Sequence, residues 1–220
     1  MNRIFIGADM RQPLAYNVLQ WSIHRHAKRP VVVQPLLIDQ LPIKRRGLTD
    51  FTFTRFLVPW LCNFEGKALF MDADMVVLED INDLFDVTDD SAVSVMQDQP
   101  KFEWASMMMF NNERCRCLTP EMVGDLQFDA LSMRWASTVG EIPKRWNQIV
   151  GYGDAPPGAA CYHYTQGIPA FYETHDSQHS NHWHRMKREA NFSCTWKDLM
   201  GTSVHAKPVL EKIIKRYLRK

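Results

Sequence analysis

The chain of 220 residues has no excess of charge, no long apolar run and no low-complexity tract. Its 26 Lys and Arg balance 25 Asp and Glu, for a formal charge of +1. A general nucleic-acid binder carries a strong basic excess, so that class is set aside and no nucleic-acid partner is expected. No stretch approaches the roughly 20 apolar residues of a membrane span. The first apolar run, Ile4 to Ile6, is too short for a secretion signal. Cysteine is scarce and unpatterned: five residues, an odd number, at 62, 115, 117, 161 and 194. Reduced thiols and a cytoplasmic setting are therefore expected rather than a disulfide framework. Without repeats or Gly/Ser linkers, nothing marks an internal boundary, and the expectation is one domain spanning residues 1–220. A chain of this size buries roughly 70–75% of its unfolded surface, enough for a core without metal or disulfide staples.

What is present is an alternation of extended and helical patterns. Arg3 to Gly7 reads as a strand, followed after Pro13 by a helix with Leu14, Val18 and Trp21 on one face. Val31 to Ile38 is β-rich but interrupted by Pro35, which marks an edge strand or a break. Thr52 to Leu61 has helical spacing, with Pro59 expected to shorten or distort the helix. Lys67 to Met71 is almost wholly apolar, as in a central parallel strand covered on both faces. Val76 to Leu78 resumes the extended pattern, and Asp80 can cap a short helix through Phe85. Ala92 to Met96, Ser106 to Phe110 and Cys161 to Tyr164 are further strands, and Met122 to Phe128 is helical. The tail, residues 207–220, reads as an amphipathic basic helix. Such alternation predicts an α/β fold with a mostly parallel sheet flanked by helices.

The sharpest chemical signal is Asp72-Ala73-Asp74 at the end of the buried run. In an extended chain residues i and i+2 share a side, so the two carboxylates can converge on one cation. Oxygen ligands at the carboxyl edge of a parallel sheet suit Mg²⁺ or Mn²⁺ with a phosphate. His163, at the end of a short strand and before Gly167, could complete the shell as a neutral imidazole. Set against this, Asp-x-Asp triplets commonly serve surface turns, and a lone His is more often a hydrogen-bonded core residue.

Arg3 to Asp9, Thr54-Arg55-Phe56, Ala68 to Met75, Met109 to Asn112, Trp146-Asn147 and His163 to Gly167 occur in an order that resembles glycosyltransferase family 8. The resemblance covers roughly residues 3–172. It implies a GT-A, Rossmann-type fold and a transferase, likened to glycogenin and bacterial galactosyltransferases, that uses a nucleoside diphosphate sugar, with UDP-sugar the expected donor. The acceptor would be a glycan or lipid-linked sugar and the outcome retaining. It further implies that Asp72, Asp74 and His163 bind Mn²⁺ or Mg²⁺. Gly7, Asp9, Arg11, Arg55 and Asn111 would then contact the donor, and Trp146 could offer a sugar platform on the acceptor side.

Two departures stand out. The first loop reads Arg11-Gln12-Pro13, without an aromatic residue to stack on a base. The segment after His163 carries Gly167 one position late, and Ile168 to Phe171 offers no phosphate-binding lysine; Arg55 or His175 could substitute. An inverting enzyme would need a carboxylate base, for which Asp98, Asp154 and Glu173 are candidates. Competing readings are a haloacid-dehalogenase-like phosphatase with Asp72 as nucleophile, and a nucleotide-sugar-binding module without turnover. His175, His179, His182 and His184 could form a zinc site if helical, although their polar setting favours a solvated segment. The basic tail would bring the protein to an anionic membrane face or pack on the sheet.

Overall fold

The computed structural model describes residues 1–98, 101–152 and 158–218. The chain divides into two compact units, Met1–Lys187 and Arg188–Lys220.

In the first unit, β1 (Asn2–Gly7) leads into α1 (Pro13–His26), β2 (Val31–Leu36), α2 (Val58–Leu61), β3 (Lys67–Asp72), β4 (Met75–Val77), α3 (Asn82–Val87), β5 (Val93–Val95), β6 (Met107–Asn111), α4 (Pro120–Gly124), β7 (Val139–Glu141), β8 (Gln148–Ile149) and β9 (Cys161–His163). The last helix, α5 (Ser180–Ala190), contains the unit boundary. Six strands form the main sheet in the order β2-β1-β3-β6-β5-β7, and β4-β9-β8 form a smaller one. β1 runs parallel to β2 and β3, and β5 to β7, whereas β6 is antiparallel to both of its neighbours.

The main sheet is covered on both faces, and its residues alternate between two cores as a pleat demands. Ile4, Ile6, Leu69, Met71, Met107 and Met109 join one core with α1, Trp146 and Trp183. Phe5, Ala68, Phe70, Met108 and Phe110 join the other with Phe56 and Leu57. β2 occupies the edge that Pro35 foretells. A short 3-10 turn, Thr54–Leu57, precedes α2, with Pro59 near the start of the latter.

Several local expectations shift. The buried stripe of α1 is Ala15, Val18, Leu19, Ser22 and Ile23, while Trp21 is 37% exposed, so the packed face is rotated from the expected one. α4 ends at Gly124, and the segment to Phe128 continues as turns. β7 and β8 are too short for periodicity to announce them.

The second unit contains α6 (Trp196–Met200), capped by Thr195 and Asp198, and α7 (Ala206–Ile213) running into a π-helical turn at Ile214–Leu218. Arg219 and Lys220, the end of the expected tail helix, lie outside the described residues, as does Asp154.

Candidate metal and donor site

β3 is buried from Ala68 to Met71, and after Asp72 the chain leaves the main sheet. Ala73 and Asp74 form a turn, and Met75 opens β4 in the smaller sheet. The two carboxylates therefore meet across a turn between sheets, not along one extended strand. Met75 pairs with His163 in the β4–β9 register, and the Tyr164 amide donates to the Asp74 carbonyl at 2.9 Å. Antiparallel pairing thus carries His163 to the aspartates from about ninety residues downstream. Ligand atoms of Asp72, Asp74 and His163 lie within 4.8 Å of one another, the one such group of three or more among the described residues.

A chain of hydrogen bonds orients the imidazole. Ser106 Oγ donates to the Glu103 carbonyl at 2.6 Å, so it accepts from Asn147 Nδ2 at 2.9 Å. This turns Asn147 Oδ1 toward His163 Nδ1, which donates to it at 3.1 Å. Nε2 faces Asp74 Oδ1 at 3.2 Å. Oriented in this way, a neutral imidazole presents its Nε2 lone pair to the carboxylates, the arrangement of a metal-ligating histidine with its other nitrogen held.

Asp72 Oδ1 and Asp74 Oδ1 are buried; each has one nitrogen beside it, Arg55 Nη2 at 3.1 Å and His163 Nε2 at 3.2 Å, and neither is fully satisfied as a hydrogen-bond acceptor. Incompletely satisfied buried carboxylate oxygens are costly, and hard oxygen donors beside one imidazole suit a divalent cation. Burial, together with the neighbouring Asp74, pushes Asp72 up to about 7 against the pull of Arg55. For Asp74 the cost of burial is outweighed by His163, which holds it below the ordinary carboxylate range. His163 is raised in turn, because attraction to Asp74 overcomes the penalty of burial. The residues fit a divalent ion.

Arg55 is 6% exposed and its guanidinium is committed. Nε donates to the Phe51 carbonyl at 3.1 Å, Nη1 to the Ala105 carbonyl, and Nη2 lies 3.1 Å from Asp72 Oδ1. The ring of Phe70 lies below it, 4.7 Å from Cζ to centroid. The structure places Arg55 as the anchor of Asp72 rather than as an open donor contact.

Asp9 and Arg11 share with Asp74 a cleft of about 310 Å³, walled also by Phe51, Thr165 and Gly167. Arg11 N and Nε donate to Asp9 Oδ1 at 2.8 and 3.0 Å, and the side-chain bond is the main reason that Asp9 sits below its usual pKa. A second pocket of about 300 Å³ continues from Asp9 and Arg11 to Leu37, Asp39 and Gln40. Gly7 lies level with Asp72 in the β1–β3 register. What approaches its backbone is the Phe51 ring, only 2.5 Å from where a Cβ would stand, so Gly7 shapes the cleft wall.

Asn111 is not brought to this site. It pairs with Lys67 at the opposite end of β3 from Asp72, because β6 runs antiparallel and presents Ser106 and Met107 to the site edge. Trp146 is buried in the core and offers no platform. Its neighbour Asn147, through its bond to His163, is the residue that bears on the site. Glu103 lies in no motif, and Ser106 and Thr165, within Ser106 to Phe110 and His163 to Gly167, carry no residue-type signal of their own for a site. Of the carboxylates considered for an inverting base, Asp98 pairs with Lys144 at 2.9 Å and Glu173 is exposed; neither lines the cleft. His175 and His179 precede α5, His179 at φ +62°, so the four histidines share no helical face. His175 contacts Asp176 and His184 instead.

A six-stranded mixed sheet flanked by helices, with two aspartates and a histidine at its edge, defines a chain of the GT-A glycosyltransferase fold. Solved structures agree. The galactosyltransferase LgtC, solved in complex with donor and acceptor sugar analogs, superposes with a TM-score of 0.63 at 12% identity, covering 90% of this chain and 99% of that one. The bifunctional glycosyltransferase WbbM gives 0.63 at 14% identity over 96% of this chain, which spans about half (51%) of WbbM. GlyE of Streptococcus pneumoniae gives 0.61 at 17% identity over 96% of this chain and 64% of its own. No family model matches the sequence. The chain belongs to the family of Protein CDI of Arabidopsis thaliana, with 30% identity over 228 residues, 86% of this chain and 87% of that protein.

Proposed function

We propose that this protein is a metal-dependent glycosyltransferase that moves a sugar from a nucleoside diphosphate donor, a UDP-sugar, to a glycan or lipid-linked acceptor with retention of configuration. The observation that carries the reading is the convergence of ligand atoms of Asp72, Asp74 and His163 within 4.8 Å of one another, beside a cleft that Asp74 lines. These three residues would hold Mn²⁺ or Mg²⁺, which when bound neutralises charge on the phosphates of the departing nucleotide. Asn147 orients His163, and Arg55 holds Asp72 in place. Asp9 and Arg11 stand where the nucleoside would pass into the adjoining pocket, whose Asp39 and Gln40 can accept and donate hydrogen bonds to ribose or base. The shared fold of LgtC, solved with sugar analogs, supports this reading.

No helix among the described residues is long and apolar enough to cross a membrane, and all five cysteines are free, which fits a reducing, cytoplasmic setting. The segment around α7 exposes Tyr217 beside Lys212, Lys215 and Arg216. This face supports peripheral contact with an anionic bilayer, to be read by co-sedimentation with vesicles containing phosphatidylglycerol.

No lysine is among the described residues that line the cleft. That observation favours, as the second reading, a module that binds a nucleotide sugar without turnover. One experiment separates the readings: thermal shifts with UDP, GDP, CDP and ADP, with and without Mn²⁺, on wild type and Asp72→Asn/Asp74→Asn, followed by NMR of the product anomer. A metal-dependent shift lost in the double variant, with a retained product, supports the transferase. A shift without product supports the binding module, and no shift with any nucleotide rejects both.

A further inference from the structure

Glu103 is a buried carboxylate, 6% exposed, in the 3-10 segment Lys101–Ser106 that precedes β6. It is linked to the surroundings of His163 by two routes. Its carbonyl accepts from Ser106 Oγ at 2.6 Å, the far end of the chain that runs through Asn147 to His163 Nδ1. Its side chain accepts through Oε1 from Thr165 Oγ1 at 3.0 Å, two residues beyond the imidazole. Glu103 thereby reaches His163 indirectly, through Ser106 and Asn147, and the loop that follows it directly, through Thr165. The neighbouring Ala105 carbonyl receives Arg55, the partner of Asp72.

Its charge matters as much as its hydrogen bonds. Glu103 lies close enough to act electrostatically on both Asp72 and His163. The buried guanidinium of Arg55 pairs with Asp72 and attracts Asp74, and Glu103 adds a third carboxylate to the surroundings of Asp72 and His163. Once an ion displaces the protons from the imidazole and Asp72, the three carboxylates and Arg55 leave two negative charges, which one divalent cation would cancel. Buried charge left uncancelled is expensive, so the excess becomes affinity for such an ion.

Resting on the metal reading of the site given above, we infer that Glu103 is a positioning residue that holds the His163–Thr165 loop over the metal and supplies the third negative charge that makes the site select a divalent cation. It does not ligate the ion; it belongs to the shell behind the ligands, where substitutions cost about ten- to a hundredfold in metal affinity.

The test uses nucleotide-free protein and Mn²⁺ alone, with free Mn²⁺ read by electron paramagnetic resonance and stability read by thermal melting in EDTA. Glu103→Gln keeps the acceptor for Thr165 and removes the charge. Its Mn²⁺ affinity is expected to fall about tenfold or more, while its melting point in EDTA stays at or above that of wild type, because one of three mutually repelling carboxylates is gone. Thr165→Val keeps the charge and removes the hydrogen bond, and is expected to weaken Mn²⁺ binding only a few fold. Glu103→Gln binding within twofold of wild type, or melting clearly below it in EDTA, would overturn the proposal and leave Glu103 a structural residue. If wild type itself binds no Mn²⁺, it is the metal reading of the Asp72, Asp74 and His163 site that fails.

Discussion

His163 Nδ1 donates to Asn147 Oδ1 at 3.1 Å, and this bond turns Nε2 toward Asp74. Asn147 is 1% exposed, so the imidazole cannot exchange that partner for water. Asn147→Ala is expected to lower Mn²⁺ affinity about tenfold and to cost about 1–3 kcal/mol of stability for the buried N–H left unpaired. Isothermal titration with Mn²⁺ and urea unfolding measure the two effects separately.

Arg55 and Asp72 form a buried ion pair whose loss is asymmetric. Arg55→Met leaves Asp72 without compensation and is expected to destabilise the metal-free protein by about 3–5 kcal/mol. Adding Asp72→Asn to that variant should restore part of the loss, since the stranded charge disappears. Denaturant curves on the two single variants and the double variant give the coupling.

Gly7 and Phe51 are fitted to each other at the cleft wall. Gly7→Ala drives a methyl into the Phe51 ring and is expected to cost about 1–3 kcal/mol by overpacking. In a Phe51→Ala background the same substitution should be nearly neutral. A non-additive thermal-melt cycle is the expected outcome, and simple additivity would show that the ring moves aside freely.

Asp80 is buried, and its carboxylate accepts from Asn82 N at 3.0 Å and Nδ2 at 2.8 Å at the start of α3. Burial raises its pKa, but these hydrogen bonds outweigh that and hold it below the ordinary value of 3.8. A depressed folded pKa contributes stability that is present above the unfolded value and is lost as pH falls through the folded one. Asp80→Ala should therefore cost about 1 kcal/mol at pH 7, with the difference from wild type shrinking as the pH drops below about 4. Urea unfolding across that range reads the trend.

The legible parts of this protein were those that local pattern controls. Lys67 to Met71 has the pattern of a buried strand, Pro35 marks an edge or a break, and Asp72, Asp74 and His163 stand out by residue type at strand ends. The α1 face was misjudged because Leu14, Val18 and Trp21 and the true stripe of Ala15, Val18, Leu19, Ser22 and Ile23 differ by a small rotation, which only the opposing sheet decides. Asn111 was misplaced for a topological reason: its strand reverses direction beside β3, and nothing within Met107 to Asn111 encodes that reversal.

The amino-acid sequence by itself determined which segments extend or coil, and which carboxylates end a buried strand, because periodicity and the cost of burying charge act over a few residues. Only the tertiary structure decided what those groups do. The pairing of β4 with β9 carries His163 to Asp74, Arg55 is spent on Asp72, and Asn147, Ser106 and Glu103 stand in line behind the imidazole. Those relationships span tens of residues along the chain, and they follow from sheet register and the packing around it.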